Sequence, residues 1–165
     1  MTAALTLAAM AATGALAQEA GEPDMEITRK EDQQSVEGPE EYFTGKATIR
    51  GNFNREDPSR LTGAIVTFEP GARTAWHKHP LGQTLIVTEG TGWTQVKGGE
   101  KYEFHEGDVM WCPPDKVHWH GATPTEGMTH IALQEAKDGT NVTWLEKVTD
   151  EEYLAGEPVT GKPEA

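Results

Sequence analysis

The chain has a single cysteine in 165 residues, so no internal disulfide can form, which is neutral between oxidising and reducing compartments. Cys112 ends the apolar run Val109-Met110-Trp111-Cys112, where a buried, inert thiol is expected rather than a reactive one. Basic residues are scarce as well. Fourteen Lys and Arg stand against 27 Asp and Glu, a formal net charge of -13, and no basic patch offsets it. Such a chain is repelled by nucleic acid and by anionic membrane surfaces, which sets both aside as partners. Long hydrophobic runs are missing too. The alanine-rich stretch 3–16 falls short of the roughly 20 residues a membrane-spanning helix needs, so membrane insertion of the mature chain is not expected. It leads into Ala15-Leu16-Ala17, an A-x-A pattern that a signal peptidase would cut before Gln18. Residues 1–17 therefore read as a signal peptide for export to a bacterial periplasm. No Lys or Arg precedes Arg29, however, so the positive n-region is absent and cytoplasmic residence is the alternative.

Helical periodicity is the last thing lacking, apart from a short turn expected over 149–154. What is present is punctuation: 18 glycines and 10 prolines between short β-prone runs. Residues 18–41 are polar and acidic and read as a linker or poorly ordered N-terminal arm. From Tyr42 the texture changes. Strands are expected at 47–50, 64–68, 74–79, 84–88, 93–96, 109–111, 117–120, 129–133 and 142–144, separated by turn signals such as Glu69-Pro70-Gly71 and Pro113-Pro114-Asp115. The expected organisation is one all-β domain over 42–154, a sandwich or jelly-roll barrel, followed by a tail over 155–165.

Strand alternation makes a sharper statement. Residues two apart share a face, so His77 pairs with His79, His118 with His120, and His130 with Ala132 and Gln134. Five of the six histidines fall on these three strands, leaving out only His105. A lone histidine is usually an exposed or satisfied side chain. Two His-x-His pairs in one small barrel reverse that expectation, because clustered imidazoles in an apolar interior need partners for their nitrogens. A divalent metal ion supplies one.

These residues also form a recognisable pattern. Gly71-x5-His77-x-His79-x3-Gln83-x6-Gly90 resembles the first cupin motif, and Gly107-x5-Pro113-x4-His118 resembles the second. The resemblance implies a single-domain cupin barrel with His77, His79, Gln83 and His118 at the four metal-ligand positions. Three departures stand out: Gln83 replaces the usual glutamate, Asp115 the usual glycine, and Ala122 the terminal asparagine. Further stretches (Phe68 to His77, Gly82 to Thr88, His118 to Ala122, Met128 to His130) resemble the bacterial cupin hydroxynitrile lyases, (R)-mandelonitrile lyase-like proteins that use manganese. That subgroup shares the three-histidine, one-glutamine ligand set, and by the same matching His120, His130 and Gln134 take its catalytic, non-ligand positions. Imidazoles by themselves suit iron and zinc equally, so Mn(2+) is what the resemblance implies.

A glutamine ligand leaves the full +2 charge of the metal uncompensated. That favours binding and stabilising an anion and disfavours a higher oxidation state. The expected activity is lysis or formation of cyanohydrins, with Ala64 and Val66 leaving room for an aromatic ring. The alternatives are a metal-dependent cupin oxygenase acting on a small organic molecule and a non-catalytic small-molecule or metal-binding cupin. The partner in each case is a small molecule, and exposed barrel edges favour a homo-oligomer, dimer or tetramer.

Overall fold

The computed structural model describes residues 25–161, so the leader and its cleavage pattern lie outside the described residues. The chain forms β1 (Ser35–Glu37), β2 (Phe43–Thr44), β3 (Ala47–Asn54), β4 (Leu61–Phe68), β5 (Arg73–Thr74), β6 (His77–Lys78) and β7 (Gln83–Val96). After these come β8 (Lys101–His105), β9 (Val109–Cys112), β10 (His118–Ala122), β11 (Met128–Glu135), β12 (Thr143–Trp144) and the short helix α1 (Asp150–Leu154). All named strand pairs are antiparallel. One sheet runs β1-β3-β4-β11-β7-β9 and the other β2-β5-β10-β7-β8, with β6 and β12 attached beside β10.

The long strand β7 belongs to both sheets. Residues 83–86 pair with β9 and 83–90 with β11, whereas 91–96 pair with β8 and β10. The bend falls at Glu89-Gly90, which the composition marks as a turn. Gly90 takes a φ of 73° and pairs with Met128, next to a register shift between Thr129 and His130 that skips Thr88, so the strand continues through the glycine instead of ending there. The all-β jelly roll expected from the turn spacing is what forms.

Alternation along these strands separates two cores. Between the sheets, Phe43, Ala47, Val66, Phe68, Val87, Phe104 and Met128 pack together. Burying a side chain such as Phe68 contributes roughly 1.5–3 kcal/mol. Outside the second sheet, Trp76, Trp119, Val148 and Tyr153 form a smaller cluster beneath α1. Strand β10 is buried throughout because it serves both: Trp119 faces the helix and its neighbours His118 and His120 face the interior. The helix is fixed at both ends. Thr149 and Glu152 form a capping box at its start, and Lys101 Nζ donates to the carbonyls of Tyr153 and Ala155 at its end. Tyr153 Oη in turn donates to Ala122 O at 2.8 Å.

Several strands differ from expectation for local reasons. The run 74–79 is split, since Ala75 N–H donates to Tyr42 O and Trp76 N–H to Glu146 O, turning Trp76 into the outer cluster. Strand β8 reads Lys-Tyr-Glu-Phe-His, too polar to stand out as a β-prone run. Inside the segment expected as a linker, β1 pairs with β3 although all three of its residues are exposed, so backbone hydrogen bonds carry that pairing. In the expected tail, Val159 bridges to Tyr102. Among the described residues no helix is long and apolar enough to cross a membrane.

Candidate active site

The sheet register brings the histidines together. His77 sits directly opposite His118 across β6 and β10, with ring centroids 4.3 Å apart. His79 follows one residue beyond β6, and one ring nitrogen from each of the three histidines lies within 4.8 Å of the others. Lys78, between the two, turns outward to an ion pair with Asp115. Asp115 holds a φ of 60°, the left-handed conformation for which the second motif ordinarily supplies glycine. Its N–H donates to His79 O, tying that loop to the cluster.

The hydrogen bonds set how each imidazole is presented. His77 Nδ1 lies 2.9 Å from Ala75 O, His79 Nδ1 2.6 Å from Asn141 O and His118 Nδ1 3.1 Å from Lys116 O. A carbonyl only accepts, so each Nδ1 carries the proton and each Nε2 is left with its lone pair. His79 Nε2 is buried without a partner. His118 is more telling. Its two ring nitrogens face two oxygens, Lys116 O and Gln83 Oε1, the latter 3.2 Å from Nε2. A neutral ring has one N–H for two acceptors, and burial holds the His118 pKa down to about 4, which disfavours protonation. A cation bound by Nε2 and Gln83 Oε1 removes the conflict, so these donors fit a metal ion and the three-histidine cluster can hold one.

Gln83 opens β7 immediately after Gly82, whose φ is 82°. A Cβ there would stand 2.3 Å from the Trp111 ring and 2.8 Å from Cys112 O, so only glycine lets the strand start this close to β9. Gln83 Nε2 donates to Gln134 Oε1 at 3.2 Å, which turns its own Oε1 towards the histidines. Cys112 is buried against His118, with a thiol pushed up to about 11 by burial, as the inert thiol expected for that run.

A second imidazole group lies one step along the same interior. His130 Nε2 and His120 Nδ1 are 3.3 Å apart, sharing one proton between them, and His130 Nδ1 is buried without a partner. Burial is the main cause of their low basicity. It brings His130 to about 3 and His120 well below the ordinary histidine value, His120 being lowered further by His130 and the three clustered histidines. His77 is lowered by burial first and then by His118 and His79.

One cavity of about 870 Å³ connects these groups. His77, His79, Gln83, His120, His130 and Gln134 all line it, while His118 is fully buried behind them. Ala64, Val66 and Ala132 form a low apolar stretch of its wall, and Trp144 lies against His77 with centroids 4.8 Å apart. All seven candidate site residues are thus brought to one place, and exposed His105 is not among them. Sequence reasoning missed Thr62 and Asn141, which hold Gln134 and His79 in place. Thr62 lies two residues before Ala64 on the same face of β4, so alternation points to it. Asn141 reaches the site from a loop, and no periodicity marks it.

The buried imidazoles make stability depend on pH. In the unfolded chain each titrates near 6.5, whereas folded His118 and His130 titrate at about 4 and about 3. Between those values the unfolded chain binds protons that the folded chain does not, so their contribution is fully present above the unfolded pKa and is lost as pH falls. Urea unfolding of chelator-treated protein is expected to show a loss on the order of 2 kcal/mol per histidine between pH 7 and pH 4.5. An unchanged urea midpoint across that interval would contradict it.

Residues 64–132 match the family described as Cupin domain. Over 129 residues, covering 78% of this chain and 98% of the relative, the sequence is 58% identical to an (R)-mandelonitrile lyase of Granulicella tundricola. Among solved structures it is similar to a cupin-like protein from Thermotoga maritima, at 40% identity with a TM-score of 0.66, over 71% of this chain and 89% of that one. The polyketide cyclase RemF from Streptomyces resistomycificus has a like fold at 16% identity, with a TM-score of 0.61 over 78% of this chain and 90% of that one.

Proposed function

The chain belongs to the cupin family, and on that footing we propose that it is a metal-dependent lyase that cleaves cyanohydrins such as mandelonitrile to an aldehyde and hydrogen cyanide, and forms them in reverse. The observation that carries the reading is a pair of neutral, hydrogen-bonded imidazoles, His120 and His130, on the wall of the cavity that His77 and His79 of the three-histidine cluster also line. A divalent ion held by His77, His79, Gln83 and His118 supplies a Lewis acid with its +2 charge undiminished by any carboxylate. Manganese is assigned from the resemblance to the manganese-using cupin hydroxynitrile lyases, and iron and zinc suit the same donors.

The protein's own groups do the proton work. With Nδ1–H of His120 donating to His130 Nε2, the His120 Nε2 lone pair is free to take the substrate hydroxyl proton. As it does so, the carbon–oxygen bond becomes a carbonyl and the carbon–carbon bond breaks, its electron pair leaving with cyanide. His120 then returns the proton to cyanide, and the pair is neutral again. Burial of both rings disfavours the imidazolium in the resting site, which makes return of the proton favourable. Ala64 and Val66 leave space for the aldehyde's ring beside this pair.

The 58% identity to a protein named (R)-mandelonitrile lyase supports this substrate class. The test is cyanide release from mandelonitrile by protein loaded in turn with manganese, iron or zinc, with oxygen uptake followed in parallel. Release above the buffer blank without oxygen uptake is expected. No release with any of the three metals sinks the proposal, and oxygen uptake with a small organic substrate would favour an oxygenase.

A further inference from the structure

We infer that Thr62 is a positioning residue that dictates which atom of Gln83 faces the three histidines. The inference rests on the reading of Gln83 as a metal ligand. Thr62, Gln134 and Gln83 occupy matched positions on three adjacent strands, Thr62 opposite Gln134 across β4 and β11, and Gln134 opposite Gln83 across β11 and β7. All three line the cavity and form one cross-strand row of polar groups.

The direction of every hydrogen bond in this row follows from the Thr62 hydroxyl. A hydroxyl has one proton to donate and two lone pairs. Thr62 Oγ1 donates to Gln134 O at 3.1 Å, which uses the proton. Only N–H groups can then approach Oγ1, and two do: Gln134 Nε2 at 2.9 Å and Asn141 Nδ2 at 3.0 Å. With its NH2 committed to Thr62, Gln134 presents Oε1 to the next strand. That oxygen requires a donor, so Gln83 offers Nε2, at 3.2 Å, and its own Oε1 is left pointing at His118 Nε2. Reversing either glutamine amide would set two carbonyls or two N–H groups against each other. The result is a glutamine fixed as an oxygen donor, the polarity a cation needs.

The same hydroxyl reaches a second ligand candidate. Asn141, held through its side chain by Thr62, accepts from His79 Nδ1 through its backbone carbonyl at 2.6 Å. Thr62 is 6% exposed and touches neither the three histidines nor the His120–His130 pair by any hydrogen bond, so its influence passes through other residues.

The test measures metal binding, not turnover. Thr62→Val keeps the side-chain shape and removes the hydroxyl, Thr62→Ser keeps the hydroxyl, and Gln134→Met breaks the row one step further on. Manganese affinity is measured by chelator competition on the full chain, with the electron paramagnetic resonance spectrum of bound Mn(2+) as a second readout. Thr62→Val and Gln134→Met should each weaken binding by about 10- to 100-fold and alter the spectrum, while Thr62→Ser stays within about threefold of wild type. In a Gln83→Ala background, Thr62→Val should cost little more, because the group it orients is already gone. Wild-type affinity and spectrum in Thr62→Val, or an undiminished penalty in the Gln83→Ala background, overturns the inference and leaves the proposed activity standing. If the wild-type chain binds no divalent metal, the ligand reading and this inference fail together.

Discussion

Replacing His118 with alanine is expected to lower manganese affinity by more than about 100-fold, beyond the range seen when only a ligand's supporting partner is removed. Cyanide release should fall to the buffer rate. The reason lies in what His118 touches. Its ring closes the cluster from behind, opposite His77, and Gln83 Oε1 faces its Nε2 at 3.2 Å. Alanine removes one donor outright and leaves Lys116 O without the N–H it accepts. The readouts are metal content after dialysis and thermal unfolding with and without added manganese. A ligand present at 100 times its dissociation constant stabilises the folded state by about 2.7 kcal/mol, and this increment should disappear in the variant. Retention of the metal-dependent stabilisation would remove His118 from the ligand set.

His120→Ala should behave in the opposite way. Metal content is expected to stay near that of wild type, because His120 is hydrogen-bonded to His130 and not to the cluster's presenting carbonyls. The turnover number should fall by about 10²- to 10⁴-fold, the usual contribution of a positioned general base. His130 loses the ring to which its Nε2 is hydrogen-bonded, and its Nδ1 is buried without a partner. Steady-state kinetics of mandelonitrile cleavage, run beside metal analysis of the same samples, separates the two effects. Wild-type turnover in a fully metal-loaded His120→Ala protein would show that the proton goes elsewhere. Loss of metal along with turnover would make His120 a support for the cluster.

The histidines were legible in the sequence for a simple reason. A strand repeats every two residues, so His-x-His places two imidazoles on one face wherever the strand lies, and the same rule put His130, Ala132 and Gln134 on one wall. Gln83 was legible only through its spacing from His79 in a recognisable motif. The substitution of Asp115 for glycine was visible as a departure, and its φ of 60° explains why the motif ordinarily has glycine there.

Other features had no local signal. The split of 74–79 depends on Tyr42 and Glu146, distant residues that take the N–H groups of Ala75 and Trp76. The continuity of β7 through Glu89-Gly90 depends on its neighbours, β11 pairing it up to Gly90 and β8 and β10 taking it over from Thr91, which a turn dipeptide does not announce. Polar strands β1 and β8 are held by the register of their neighbours.

By itself, then, the sequence determined the all-β class and the strand faces that carry imidazoles, since both follow from periodicity and turn residues along one stretch of chain. The tertiary structure alone decided which nitrogen of each histidine is free, which end of the Gln83 amide points inward, and that Thr62 and Asn141 hold them there. Those are matters of hydrogen-bond direction between strands, and a donor finds its acceptor only when the sheets have brought the two within about 3 Å.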